Sequence, residues 1–285
     1  MVGETRNARV TGTVSPRRAR TARGLVTSPN SSRGGPGILG FAAKHARVIA
    51  ATEPAPRIGI LIGMLRPIPP AAVFFDMDGL LIDSEPTWFQ AEKDMLAAYG
   101  FTLGPEHYPH VLGKPIEVST AYLLELTGHP VSAEQFADGI ELAMVERLRD
   151  GVPMMPGAKD LLVELEAAGL PLALVSASSR RIVDACLPLI GPDHFRVTVS
   201  GDDVERSKPN PDPYLLAARK LGVDPAQCVV LEDSPTGTAA GHAAGCRVIA
   251  VPHAAEVPAR ERVTIVDSLR RVNLAFLRGL FDERR

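Results

Sequence analysis

From residue 71 onward, short apolar runs alternate with helix-like segments, and this alternation constrains the fold more than any other feature of the chain. The runs are residues 71–75, 171–175, 197–199, 228–231 and 247–251. Each is apolar on both faces and bounded by turn residues, which is typical of buried strands in a parallel sheet. Segments 158–168 and 212–221 have helical spacing and are each followed by glycine, a common helix terminator. The pattern predicts an α/β fold with a Rossmann-like, doubly wound parallel sheet.

One block breaks this alternation, because residues 86–150 contain helical patterns and no convincing strand. Pro86 suits the first position of one helix, and Ser132 with Gln135 has the spacing of a capping box for another. The second helix then has apolar residues at four-residue intervals, namely Phe136, Ile140, Met144 and Leu148. We therefore predict an α-helical cap domain at 86–150, inserted into a core formed by residues 71–85 and 151–285.

Residues 1–70 differ in composition from the rest, since they are rich in Arg, Pro, Gly, Ser and Thr and contain almost no acid. Such a segment buries too little apolar surface to offset its ordering entropy, so we expect a mostly disordered N-terminal extension. An organelle transit peptide or a basic arm that binds nucleic acid would have a similar composition. Translation could also begin at Met64, an interpretation that native peptides from before Met64 would contradict.

The overall composition argues against several classes of function. The formal net charge of -2 provides no general attraction for nucleic acid or anionic membrane, and 5% aromatic residues provide few stacking platforms. No stretch reaches the roughly 18 to 20 apolar residues of a membrane-spanning helix. The three cysteines, Cys186, Cys228 and Cys246, are odd in number and lack metal-binding spacing. We expect a cytoplasmic protein with reduced thiols and no nucleic-acid or membrane partner, the monomer being the favoured state.

Polar clusters follow three of the predicted strands. Asp76 and Asp78 come directly after the first strand, where two carboxylates can divide nucleophilic and proton-transfer roles. Gly79 permits a tight turn that directs backbone N–H groups toward an anion. Ser176 and the backbone of Ala177 follow the second strand and suit a phosphate oxygen. Glu232 and Asp233 follow the fourth predicted strand.

Glu232 and Asp233 offer hard oxygen ligands for Mg²⁺, and Lys208 lies in a loop, 207–213, whose prolines stiffen the backbone. Each cluster alone has an ordinary explanation, as an Asp-Gly turn, a serine helix cap, a solvated lysine or the start of the next helix. In open parallel sheets, however, ligands bind at the carboxyl ends of the strands, so we expect these residues to meet in one crevice. Several acids, a lysine and hydrogen-bond donors suited to a phosphate together indicate metal-assisted phosphoryl transfer.

The segment FDMDGLLIDSEPTW, followed in order by Ser176, Lys208 and Glu232-Asp233, resembles the motifs of the haloacid dehalogenase superfamily. The resemblance extends from about residue 73 to 251. It is closest to the β-phosphoglucomutase-like branch with a helical cap, and within that branch to 2-deoxyglucose-6-phosphate (sugar-phosphate) phosphatases. It implies that Asp76 attacks phosphorus to form an aspartyl-phosphate. It also implies that Asp78 protonates the leaving alcohol and then deprotonates the hydrolytic water.

The same resemblance implies a set of metal and phosphate ligands. Mg²⁺ would be held by the Asp76 carboxylate, the Asp78 backbone carbonyl and Asp233, with Glu232 nearby through water. Lys208 would balance charge at the phosphoryl group. The residues expected at the phosphoryl group are Ser176, Ala177, Lys208 and Gly79.

The predicted cap supplies two candidate substrate contacts, Lys114 and Trp88. Lys114 lies in the sequence LGKP, where a solvated loop lysine is an equally good interpretation. Mutase members of the branch have histidine where this chain has Trp88, which favours hydrolysis, although a tryptophan here could simply be cap core. We expect a Mg²⁺-dependent phosphatase that acts on a small phosphorylated metabolite, a sugar or polyol phosphate. The open alternatives are a sugar-phosphate mutase, a phosphatase of nucleotide-derived phosphates such as pseudouridine 5′-phosphate, and a regulatory binding protein that retains the fold.

Overall fold

The computed structural model describes residues 70–111, 114, 116–128, 132–253 and 255–282. The expectations of disorder in the N-terminal extension and of a start at Met64 concern residues that, apart from Pro70, lie outside these ranges. Within them, no helix combines the length and the apolarity that a membrane span needs.

Six parallel strands form one sheet in the order β3-β2-β1-β4-β5-β6. The strands are β1 (Ala72–Phe75), β2 (Leu172–Val175), β3 (Val197–Val199), β4 (Cys228–Glu232), β5 (Arg247–Ala250) and β6 (Val263–Ile265). The order reverses between β1 and β4, as in a doubly wound fold, so the predicted Rossmann-like sheet is confirmed. β6 is an addition that the apolar runs did not predict.

Successive residues of the central strands point to opposite faces of the sheet, and each face has its own apolar cluster. Val73 and Phe75 belong to one cluster, whereas Ala72 and Phe74 belong to the other. Every residue of β1, β2 and β4 is buried. This two-sided burial explains why these strands are continuous apolar runs rather than alternating ones.

In the described part of residues 84–152 the structure has four α-helices: α1 (Glu85–Ala98), α2 (Tyr108–Val111), α3 (Ile116–Thr127) and α4 (Ala133–Leu148). The described part of 86–150 contains no strand. The capping box before α4 is present, because the Gln135 N–H donates to Ser132 Oγ (3.1 Å) and the Ser132 N–H donates to Gln135 Oε1 (3.2 Å). The four-residue pattern of α4 is buried as predicted. α1 begins at Glu85, one residue before the predicted start at Pro86.

The remaining helices flank the sheet: α5 (Ala158–Ala167), α6 (Arg180–Ile190), α7 (Asp212–Leu221), α8 (Pro235–Ala243) and α9 (Leu274–Gly279). Two linkers join the helical insertion to this core, and they are hydrogen-bonded to each other. The Met155 N–H donates to Leu81 O (2.8 Å), and the Asp83 N–H donates to Pro153 O (2.9 Å). The insertion is therefore attached a few residues after Asp78, at the carboxyl edge of the sheet.

Candidate active site

The carboxyl ends of β1, β2 and β4 bring the predicted polar clusters together. The Asp76 N–H extends the sheet by donating to Leu231 O (3.1 Å), and the Ser176 N–H donates to Val199 O (2.9 Å). Asp76 and Ser176 are both buried. Because the backbone itself holds both residues, their side chains start from fixed positions at the sheet edge.

Lys208 reaches from its loop into this edge and connects two strands. Its Nζ donates to Asp76 Oδ1 (2.6 Å), Glu232 Oε1 (2.6 Å) and Val175 O (2.8 Å), so all three ammonium donors are used. Its side chain is only 4% exposed. Burial opposes the ammonium charge, but the Asp76 and Glu232 carboxylates outweigh burial and raise the pKa of Lys208. The lysine therefore stays charged and fixes the Asp76 carboxylate.

Glu232 is completely buried, and both of its carboxylate oxygens accept hydrogen bonds. Oε1 accepts from Lys208 and from the Tyr214 hydroxyl (2.6 Å). Oε2 accepts from the Ser234 hydroxyl (3.0 Å). These bonds favour a role for Glu232 in holding Lys208. The sequence did not identify Tyr214 as a site residue. Its place in the helical pattern predicts that the side chain is buried, but it does not predict what the hydroxyl contacts.

Asp76, Glu232 and Asp233 form an acidic cluster in which one carboxylate oxygen of each lies within 4.8 Å of the others. Burial raises the pKa of Asp76 and of Asp233. Neighbouring carboxylates raise both pKa values further, and the Lys208 ammonium opposes this rise without cancelling it. When all three carboxylates are ionised, they and the Lys208 ammonium leave two negative charges without compensation. Hard oxygen ligands with this charge fit a divalent cation such as Mg²⁺.

Asp78 differs from Asp76, since its partners are neutral donors. Oδ1 accepts from the Ser84 hydroxyl (2.6 Å) and the Trp88 indole N–H (3.4 Å). Oδ2 accepts from the Ser178 hydroxyl (2.9 Å) and the Ser176 hydroxyl (3.4 Å). Trp88, predicted as a substrate contact, thus lies against the second aspartate. Ser84 and Ser178 were not predicted, and their only sequence signal is proximity to the motifs.

Gly79 has a second function besides its turn. Its φ is +77°, and a Cβ at this position would lie 2.3 Å from Asp233 Oδ2. Its own N–H donates to Ile82 O (2.9 Å) and is therefore not directed at an anion. Gly79 contributes its turn conformation to the site. The absence of a side chain leaves the space that the Asp233 carboxylate occupies.

Charged residues also connect the helical insertion to the core beside this site. Arg181 at the start of α6 contacts Asp138 (2.5 Å) and Glu141 (3.6 Å) on α4. Glu141 also lies beside Ser179, the N-cap residue of α6. The insertion is therefore held against the segment that carries Ser176 and Ser178. Lys114 is exposed, and its side chain makes no hydrogen bond or ion pair with any residue the structure describes.

Residues 73–251 match the family model for haloacid dehalogenase-like hydrolases, which is more than half of the chain. The chain belongs to this family. The resemblance stated from the motifs is thereby confirmed, and the aspartates and the lysine that carry it lie together at one sheet edge.

Similar proteins include several phosphatases. Hexitol phosphatase A from Escherichia coli K12 is 36% identical over 193 residues, 67% of this chain and 88% of the relative. Fructose-1-phosphate phosphatase YqaB from the same organism is 32% identical over 182 residues, 64% of this chain and 96% of the relative. The crystal structure of CbbY from Rhodobacter sphaeroides in complex with phosphate has a TM-score of 0.64 and 30% identity, covering 73% of this chain and 98% of that chain. The chain is a phosphoric monoester hydrolase.

Gly79→Ala is expected to raise the Mg²⁺ concentration needed for activity about 10- to 100-fold, because the new Cβ would displace the Asp233 carboxylate. Gly245→Ala is the matched control, since Gly245 has a φ of +91° and no neighbouring atom within 4 Å of the added Cβ. In both variants the left-handed backbone costs about 1–2 kcal/mol. Thermal unfolding and Mg²⁺ titration of phosphate release separate the two effects. Equal Mg²⁺ requirements in both variants would contradict the role of Gly79.

Proposed function

We propose that this haloacid dehalogenase-like hydrolase is a Mg²⁺-dependent phosphatase of sugar or polyol monophosphates. The main support is the arrangement of two aspartates with different partners, Asp76 against Lys208 and Asp78 among neutral donors. One carboxylate is thereby held as a nucleophile and the other as a proton carrier. The names of the similar phosphatases support the sugar or polyol class.

In the first half-reaction, Asp76 Oδ2 attacks phosphorus while Lys208 holds Oδ1. The bond between phosphorus and the ester oxygen breaks, and Asp78 donates its proton to that oxygen, releasing the neutral alcohol. In the second half-reaction, Asp78 removes a proton from water, and the resulting hydroxide attacks phosphorus. Phosphate leaves and the Asp76 carboxylate is restored. Acid–base assistance of this kind typically contributes about 10²–10⁴-fold.

The metal would be held by the Asp76 and Asp233 carboxylates and the Asp78 backbone carbonyl, with Glu232 in the next layer. When bound, Mg²⁺ offsets the repulsion between the attacking carboxylate and the phosphate. Ser176 and the Ala177 amide, beside Lys208, would bind phosphoryl oxygens once substrate displaces the Ser176 contact with Asp78. Lys208 would balance the charge of the phosphoryl group from its present position, which Asp76 and Glu232 fix.

The helical insertion would act as the cap over this site. Its first helix begins beside Asp78, and its Trp88 donates to the Asp78 carboxylate. Closure on the two linkers would exclude bulk water and bring cap side chains to the substrate. Lys114, whose side chain is exposed, would contact the substrate. Buried free thiols at all three cysteines support a cytoplasmic location, and a monomer is the state to test by size-exclusion chromatography.

Phosphate release from glucitol 6-phosphate, fructose 1-phosphate, glucose 6-phosphate and pseudouridine 5′-phosphate tests this proposal. We expect release with Mg²⁺ and loss of release with EDTA, with the sugar and polyol phosphates preferred. Release that persists in EDTA would contradict the metal site. Conversion of β-glucose 1-phosphate to glucose 6-phosphate without release would indicate a mutase, and ligand binding without turnover would indicate a regulatory protein.

A further inference from the structure

Tyr214 on α7 is a fully buried side chain that takes no part in the chemistry proposed above. Its ring stacks on Phe74 of β1, with ring centroids 6.3 Å apart and an interplanar angle of 15°. Both rings belong to the apolar cluster on one face of the sheet, together with Ala217 and Val230. A large side chain in a close-packed core has few alternative positions. Packing therefore holds the Tyr214 hydroxyl at a defined place.

The Tyr214 hydroxyl donates a short hydrogen bond to the buried Glu232 carboxylate, at Oε1 (2.6 Å). Hydrogen bonds to an ionised acceptor are shorter and stronger than those between neutral groups. Burial, and then the Glu232 charge, raise the pKa of Tyr214, so its hydroxyl keeps its proton and acts as the donor. Phenylalanine would supply the same ring, so apolar packing alone does not account for the hydroxyl.

The oxygen that accepts from Tyr214 is also the one that competes with Asp76 for Lys208. Lys208 Nζ donates to Glu232 Oε1 and to Asp76 Oδ1 at the same distance, 2.6 Å. The Tyr214 hydroxyl offsets part of the negative charge of Oε1. Without this second donor, the Glu232 carboxylate would attract the ammonium more strongly and draw it away from Asp76. The hydroxyl therefore keeps Lys208 between the two acids.

The Tyr214 ring also contacts Lys208 directly. The ammonium nitrogen lies 5.1 Å from the ring centroid, within the range of a cation–π interaction. The three ammonium hydrogens are bonded to Asp76, Glu232 and Val175 O, and the ring attracts the charge without competing for them. Tyr214 thus contacts the lysine in two ways, through its ring and through Glu232.

The other contacts of Glu232 direct it away from the metal. An ionised carboxylate has about four lone-pair sites. Lys208 and Tyr214 donate to Oε1, and the Ser234 hydroxyl (3.0 Å) and N–H (3.4 Å) donate to Oε2. Protein donors therefore take up the hydrogen-bonding capacity of Glu232 and leave little of it for a metal-bound water. A change at Tyr214 should act on the lysine rather than on the metal.

We propose that Tyr214 is a positioning residue that holds the Lys208 ammonium against the Asp76 nucleophile, through its ring and through Glu232. This inference rests on the proposed phosphatase function and specifies what orients its lysine. When Asp76 attacks phosphorus, negative charge develops on the transferring group, and a displaced lysine would stabilise that charge less. The rate of this step, more than substrate binding, should therefore depend on Tyr214.

Tyr214→Phe tests the hydroxyl while the ring is kept. For the best substrate of the four phosphates named above, we expect kcat to fall about 10-fold, the effect of losing one hydrogen bond to a charged group. KM and the Mg²⁺ concentration for half-maximal activity should stay within about 3-fold, since the hydroxyl donates to Glu232 and not to Asp76 or Asp233. Tyr122→Phe is the matched control and should keep the wild-type kcat, because its hydroxyl lies 2.7 Å from His107 Nδ1 in the helical insertion.

A double substitution shows whether the tyrosine acts through the glutamate. Glu232→Gln should also lower kcat, and adding Tyr214→Phe should lower it less than about 3-fold further, because the charged acceptor is already gone. Losses that multiply in the double variant would overturn the proposal. So would an unchanged kcat in Tyr214→Phe, or a Mg²⁺ requirement that rises beyond the expected range. Thermal unfolding above the assay temperature in each variant excludes loss of folded protein as the cause.

A crystal structure of Tyr214→Phe tests the position of the lysine without reference to activity. Lys208 Nζ should lie beyond hydrogen-bonding distance of Asp76 Oδ1, more than about 3.2 Å away. A lysine that keeps its wild-type contact with Asp76 would overturn the proposal, whatever the kinetics. If wild type releases phosphate from none of the four compounds, the proposed function fails, and this distance alone then supports or overturns the role of Tyr214.

Discussion

Asp76→Asn should reduce phosphate release by about 10⁴-fold or more, the order of loss seen when a nucleophile is removed. An amide cannot form the covalent bond to phosphorus, and it is a weaker ligand for a cation. The positions of Lys208 and Asp78 should not change, because other residues also hold them. Phosphate release by purified wild type and variant at saturating Mg²⁺ gives the measurement. Activity within about 10-fold of wild type would exclude Asp76 as the nucleophile.

The same variant should be at least as stable as wild type when metal is removed. Burial raises the pKa of Asp76 from 3.8 to about 8, so the folded chain binds a proton that the unfolded chain releases. The free energy of unfolding of the metal-free wild type therefore falls as the pH rises through this interval, and the Asp76→Asn substitution removes that loss. Urea unfolding in EDTA across this interval tests the sign. Asp160→Asn, at an exposed position on α5, is the control and should keep the wild-type pH dependence.

Together the two outcomes describe a site assembled at the expense of stability. Acids that repel one another are kept together because the reaction needs them, and the cation that they bind offsets the repulsion. A variant that loses both activity and stability would instead show that Asp76 supports the fold through Lys208.

The strands were predictable from the sequence because burial on both faces makes a parallel strand a continuous apolar run. β3 was predicted at its observed bounds, and β1, β2, β4 and β5 within one residue. β6 was missed for the converse reason. It has three residues, lies at the sheet edge and has a half-exposed Ile265, so its sequence lacks the run that marks a buried strand.

The residues of the site were predictable, but many of their contacts were not. Strand ends and topology suffice to place Asp76, Ser176 and Asp233 at one edge. The hydrogen bond from Ser178 to Asp78 joins residues 100 positions apart, and local patterns carry no information about it. Glu92 is the clearest example, since a glutamate within a helical pattern normally indicates a solvated face, whereas here it is buried.

Lys208→Met should cost about 3–5 kcal/mol of stability and abolish activity, because it removes the cation from a buried charge network. Methionine keeps the length and apolar stem of the side chain. It leaves the Glu232 carboxylate without its cation and the Asp76 carboxyl group without its donor, and both groups are almost inaccessible to water. Denaturant unfolding at pH 7 without metal measures the loss. Lys220→Met on α7, where the lysine is exposed, should change stability by less than about 0.5 kcal/mol.

A second substitution distinguishes loss of charge compensation from loss of packing. Glu232→Gln in the Lys208→Met background removes the buried charge that the first change left unpaired, so it should restore part of the lost stability. Activity should stay absent, because Asp76 remains without its cation. Glu232→Gln alone should destabilise, since Lys208 then loses one of its two anionic partners. If the two losses simply add in the double variant, Lys208 contributes through packing, and the coupling between lysine and glutamate on which the site depends is absent.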